Sequence, residues 1–245
     1  MPDPKSSRAN LIAFTLAGVL VALAGGLAGW LIGAGGIGGT AATERVVRDY
    51  ILENPEILPE AMERLRADQT RKQLSAVSQD VTRAFPGAVL GNPNGTVTLV
   101  EFSDYACGYC RQSAADVEAL IAANPDLKVV VRELPILSPE SATAARLALA
   151  AAAQGKYAAF HNALFAAGKP TEAALAQAAQ VAGVDMARAR ANLADPAIAA
   201  EIERNLELAS QLGFNGTPSW VVGDTVLSGA VGKDELARAI AAARR

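Results

Sequence analysis

Thr96-Val-Thr-Leu-Val-Glu-Phe-Ser-Asp-Tyr-Ala-Cys-Gly-Tyr-Cys110 is the stretch on which the fold turns. Its first seven residues, to Phe102, are β-branched and apolar in the proportion expected of a central strand. Gly91-Asn-Pro-Asn-Gly95 in front of it is a turn cluster. Behind it a helix runs from about Cys110 to Ala123 and is closed by Asn124-Pro125. Both cysteines of the chain therefore stand where a strand hands over to a helix, as Cys107-Gly108-Tyr109-Cys110. That context makes a C-x-x-C a redox candidate. The free N–H groups and partial positive charge of a helix start favour a thiolate over a thiol. Cys107, at the tip, is expected to face solvent and attack; Cys110, one turn inside, is expected to resolve. A static disulfide here would close a loop too short to stabilise the chain much.

Working outward, Lys128 to Glu133 is a second strand. Ser138 to about Gly213 is Ala-rich and helical, broken at Gly155, Gly168-Lys169-Pro170, Gly183 and Asp195-Pro196. Trp220 to Val222 and Thr225 to Leu227 form a hairpin around Gly223-Asp224, and Gly232 to Arg245 is a final helix. Residues 86–245 read as one α/β domain ordered β-α-β, helical block, β-β-α.

The N-terminal part differs. Lys5 and Arg8 precede an apolar run from Leu11 to Ile32, long enough to cross a bilayer, and the basic start places the remainder of the chain outside the cytoplasm. Ala22-Leu23-Ala24 resembles a signal-cleavage site, so residues 1–39 are a signal anchor or a signal peptide. Either exports the chain. Gly33-Ala-Gly-Gly-Ile-Gly38 matches a dinucleotide fingerprint formally, but it lacks the strand and βαβ context that gives the motif meaning. Residues 40–85 read as a charged helical stalk of two or three short helices, with Asn54-Pro55-Glu56 starting one and Pro59 kinking it. Val46, Val47, Tyr50 and Ile51, then Leu74, Val77 and Val81, form a narrow apolar stripe. Such a stripe is expected to pack on another copy, making a homo-oligomer through residues 43–84, or on the next domain.

Composition excludes several functions. A net charge of −3 argues against a nucleic-acid partner. One His and two Cys cannot build a closed zinc site, so no metal and no cofactor is expected. His161, within Tyr157 to Phe165, reads as a helix-packing residue. Tyr105 and Tyr109 flank the cysteines as candidates for a peptide-binding surface. Glu101 shares a face of its strand with Leu99, which leaves its burial open.

Leu99 to Cys110, with Thr217-Pro218 far downstream, resembles the DsbA family of the thioredoxin superfamily, over about Gly87 to the C-terminus. The resemblance implies a thioredoxin fold with a helical domain inserted at about 138–213. It implies a cis peptide at Thr217-Pro218 beside the cysteines, a Thr217 backbone that pairs with extended client peptide, and a buried acid at Glu101 that shuttles the Cys110 proton. Catalysis would then rest on Cys107, Cys110 and Glu101, and client binding on Thr217, Pro218, Gly108 and Tyr109. Leu52-Glu-Asn-Pro-Glu-Ile57 further resembles the suppressor-of-copper-sensitivity C proteins, some of them trimeric isomerases. The implied function is a periplasmic thiol–disulfide oxidoreductase, an isomerase or reductase of unfolded or misdisulfided exported proteins with a membrane redox partner. A dedicated oxidase and a copper-binding or holdase module are the alternatives.

Overall fold

The computed structural model describes residues 40–244 and, before them, only Leu23 and residues 25–27. The expected apolar anchor or signal peptide and the Gly33 to Gly38 motif therefore lie, but for those four positions, outside the described residues. Among the described residues no helix is long and apolar enough to cross a membrane.

Two compact units divide at Leu65 and Arg66. The first contains helix α1 (Thr40–Glu53) and the start of α2 (Ile57–Thr82). The expected kink at Pro59 is absent. The helix begins after the Asn54-Pro55-Glu56 turn, so Pro59 sits in the first turn, where an amide has no intrahelical partner to lose. Asn54 instead ends α1: its Nδ2 and backbone N both donate to the Tyr50 carbonyl. Val46, Val47, Tyr50 and Leu52 of α1 are exposed.

The second unit is built on a five-stranded mixed sheet, β1 (Val89–Gly91), β2 (Val97–Ser103), β3 (Leu127–Glu133), β4 (Ser219–Val222) and β5 (Thr225–Ser228). The order is β1-β3-β2-β4-β5. Strands β2 and β3 are parallel and in register from Val97↔Leu127 to Ser103↔Glu133; the other pairs are antiparallel. β1 is too short and too close to the turn cluster to show in the sequence pattern.

Both faces of the sheet are covered. Leu99, Val129, Val131 and Trp220 pack beneath α3 (Gly108–Ala123), α9 (Lys233–Ala243) and the inserted helices. Val100, Phe102, Val130 and Val221 pack on the other side with Leu208 and Leu212, and with Leu74 and Val81 of α2. The C-terminal half of α2 is thus core of this unit, because its apolar stripe has the domain to bury against.

The insertion is α4 (Pro139–Ala152), α5 (Tyr157–Ala167), α6 (Glu172–Ala182), α7 (Met186–Asn192) and α8 (Pro196–Gln211). Ser138, Thr171, Asp185 and Asp195 cap α4, α6, α7 and α8 by accepting backbone N–H groups, and Pro139 and Pro196 open two of these helices. The β4–β5 hairpin turns at Gly223, whose φ of 54° is in the left-handed region that glycine enters without strain.

Candidate redox site

Cys107 is the N-cap of α3 with extended backbone, and both cysteines are free thiols. The strand ends at Ser103, and Asp104 shapes the passage to the helix. Its carboxylate accepts from Ala106 N at 2.8 Å and from Ile136 N and Leu137 N at 2.9 and 3.0 Å, while its carbonyl takes Cys107 N. One buried acid thereby ties the turn that carries the cysteines to the loop after β3. Neither Asp104 nor its link to Ile136 and Leu137 stood out in the sequence, because those two bonds span some thirty residues.

Cys107 does not stand free in solvent as expected. It is 6% exposed, because Sγ turns onto the Thr217 carbonyl and donates to it at 3.2 Å. Thr217-Pro218 is a cis peptide, and Pro218 is buried just before β4. Gly108 and Tyr109 are exposed on the rim, whereas Tyr105 is buried and cannot form the expected peptide-binding surface. Cys110 is fully buried. Burial raises its pKa well above that of a free thiol, and the neighbouring Glu101 charge adds to this; the Asp104 backbone and the Thr217 and Ser103 hydroxyls offset a part.

Alternation left the burial of Glu101 open, and packing answers it: the residue is 1% exposed, on the face beneath α3. Its Oε1 and the Ser103 Oγ are buried without a hydrogen-bond partner. Burial lifts the carboxyl pKa from 4.5 to about 7. An acid raised in the folded state binds its proton more tightly there than in the unfolded chain. Its contribution to stability is full below pH 4.5 and is lost as the pH rises through about 7. Glu101→Gln removes that loss, so wild type should fall about 2 kcal/mol further than the variant between pH 5 and 8. Urea unfolding of both proteins at the two pH values checks this; parallel losses would place the carboxyl in contact with water.

His161 is buried in α5, where packing was expected, but it also touches the Tyr105 hydroxyl through Nδ1 at 3.1 Å. The acid at the centre of that cluster, Glu133, was not singled out. Its one sequence signal is a charged residue at the end of an apolar strand, in register with Val129 and Val131.

Residues 98–241 match the family of DSBA-like thioredoxin domains, and residues 40–72 match the copper resistance protein ScsC N-terminal domain. A thioredoxin-like oxidoreductase from Silicibacter pomeroyi DSS-3 superposes with a TM-score of 0.61 at 46% identity, covering 64% of this chain and 91% of that one. A linker-deleted variant of Proteus mirabilis ScsC gives a TM-score of 0.68 at 27% identity over 84% of this chain and 94% of that one. Among curated relatives, the Na(+)/H(+) antiporter NhaA 3 of Salinispora tropica is 33% identical over 137 residues, 55% of this chain. The chain spans 21% of that relative's length.

Proposed function

The chain belongs to the DSBA-like thioredoxin domain family of thiol–disulfide oxidoreductases, and we propose that it exchanges disulfides with exported proteins in the periplasm, as an isomerase or reductase. The observation that carries the exchange reading is the placing of Cys107 at a helix start and against Thr217, with Cys110 sealed behind it near Glu101. Cys107 thiolate attacks a client disulfide; that S–S bond breaks, one client thiolate leaves, and a mixed disulfide forms. Glu101 then takes the Cys110 proton, and Cys110 attacks Cys107 Sγ. The second client sulfur leaves as a thiolate and gains a proton from solvent. The client is reduced by two electrons and the enzyme pair is oxidised, to be reduced again by a membrane partner. In isomerisation the released client thiolate attacks a wrong pairing elsewhere, that S–S bond breaks, and the thiolate it expels attacks the client sulfur of the mixed disulfide, which closes a new client disulfide and frees Cys107 unoxidised.

Client peptide would extend along Thr217, with Tyr109, Ile136 and Leu137 exposed nearby as apolar contacts. A cleft of about 400 Å³ lined by Ala106, Leu137, Lys169 and Pro170 borders the same loop.

The exposed apolar positions of α1 support isomerisation over single oxidation. Val46, Val47, Tyr50 and Leu52 are 52–70% exposed, and a second copy covering them would hold several sites around one client. The chain from Thr40 should scatter light as an oligomer and restore activity to a scrambled disulfide protein. Charging two exposed positions, Val46→Glu with Tyr50→Glu, should leave a folded monomer that reduces insulin but loses at least about tenfold in isomerisation. Recovery no better than a simple dithiol returns the oxidase reading, and tight Cu(I) binding without insulin reduction makes the thiols ligands instead.

A further inference from the structure

Glu101 and Ser103 of β2 and Glu133 of β3 share the sheet face beneath α3, and all three are sealed from water. In the parallel register Ser103 faces Glu133 and Glu101 faces Val131. Their polar atoms fare differently. Glu133 Oε1 accepts the Tyr157 hydroxyl at 2.6 Å and the Tyr105 hydroxyl at 3.1 Å. The Ser103 Oγ and the Glu101 Oε1 have no hydrogen-bond partner, although the two residues are one strand repeat apart, about 7 Å between Cα atoms. A buried hydroxyl with neither its proton nor its lone pairs in use is destabilising, and native interiors rarely keep one.

The Ser103 hydroxyl faces the first turn of α3. The Cys110 sulfur, fully buried there, has three groups turned towards it: the Asp104 backbone and the Ser103 and Thr217 hydroxyls. The Thr217 Oγ1 is likewise buried without a partner. Ser103 lies beside the Glu101 carboxyl as well, but makes no bond to it. A thiol sulfur accepts hydrogen bonds weakly, whereas a charged acceptor takes strong ones. Two uncommitted hydroxyl protons thus stand beside the atom on which charge must develop before Cys110 can attack.

We propose that Ser103 serves the resolving step: its hydroxyl is the donor held for the Cys110 sulfur, uncommitted while that sulfur is a thiol and hydrogen-bonded to it as the thiolate forms. The inference deepens the exchange reading above and rests on it. Thr217 also holds Cys107 through its carbonyl and would meet the client, so replacing it disturbs both steps. Ser103, on the strand behind, isolates the second.

The Cys110 proton leaves as in the exchange scheme above, and Ser103 keeps its own; its O–H rotates onto the sulfur and gives up no atom. The bond exists only with the charged sulfur. It therefore lowers the barrier to resolution and does not stabilise the resting dithiol protein. When Cys110 has attacked Cys107 Sγ, the negative charge departs on the client sulfur and the hydroxyl is released.

Ser103→Ala removes the hydroxyl alone. The reduced full chain is mixed with a peptide dimer joined by one disulfide, quenched in acid and weighed by mass spectrometry, which follows the mixed disulfide as it forms and decays. Formation should stay within about twofold of wild type. Decay should slow at least about tenfold, the low end for one hydrogen bond to a charged group, so that the intermediate accumulates. The same substitution deletes an unsatisfied buried atom, so the urea midpoint of the reduced variant should equal or exceed that of wild type. In a Glu101→Gln background the slowing by Ser103→Ala should persist; its disappearance would mean that the hydroxyl acts through the carboxyl, which overturns the proposal. Unchanged decay overturns it too. So does a lower urea midpoint with both steps slowed, which gives Ser103 a packing role. Wild type that forms no mixed disulfide at all overturns the exchange reading instead.

Discussion

Cys107→Ser should abolish disulfide exchange, at least about a thousandfold in rate, whereas Cys110→Ser should still attack clients and accumulate as mixed disulfides. The asymmetry stems from access. Cys107 Sγ lies against the Thr217 carbonyl, where a client strand would approach, and keeps a small exposure of 6%, whereas Cys110 is fully buried behind it. Without Cys110 no intramolecular thiolate can displace the client. Non-reducing electrophoresis after mixing each variant with a scrambled protein reads the difference directly. Equal trapping by both variants would reverse or merge the two roles.

Arg132→Leu should cost about 3–5 kcal/mol of stability, the range for breaking a buried ion pair. Arg132 is fully buried on the sheet face opposite Glu101 and Glu133. It bonds Glu201 Oε1 at 2.7 Å and Asn205 Oδ1 at 3.0 Å, and it donates to the carbonyls of Asp80, Val81 and Arg83. Those carbonyls belong to the last turn of α2 and the residue beyond it, where helix carbonyls run out of intrahelical donors; of the three, Asp80 also accepts the Arg83 N–H. One guanidinium thus satisfies a helix end, a carboxylate and an amide. Its loss leaves all three desolvated, and leucine returns only part through apolar contact. Chemical denaturation of wild type and variant measures the difference. A loss below about 1 kcal/mol would mean that water enters and replaces the guanidinium.

Much of this architecture is legible in the chain because local chemistry carries it. The strand at Thr96, the helix behind the cysteines, the hairpin at Gly223-Asp224 and every break in the inserted helices arise from turn residues, caps and prolines. Such signals act within four or five residues, and the structure places the elements within a few residues of those signals. Pro59 is the exception that shows the limit: its meaning depends on whether it falls in a first turn or an interior one, and helix starts are set by small energy differences. The redox motif is equally local, since Cys107 and Cys110 need only a strand before them and a helix after.

Tertiary packing had to supply the rest. Periodicity cannot tell the inside of a strand from its outside when both faces are covered, so the burial of Glu101 emerges only once α3 and α9 lie on one side and α2 and α8 on the other. The stripe on α2 could have met a second copy or the domain; Leu74 and Val81 found the domain, leaving α1 exposed. The cluster of Glu133, Tyr105, Tyr157 and His161 draws its partners from 24 to 56 residues apart. No pattern of local spacing encodes such a meeting. It is produced when burial brings together groups that, away from water, have only one another to satisfy them.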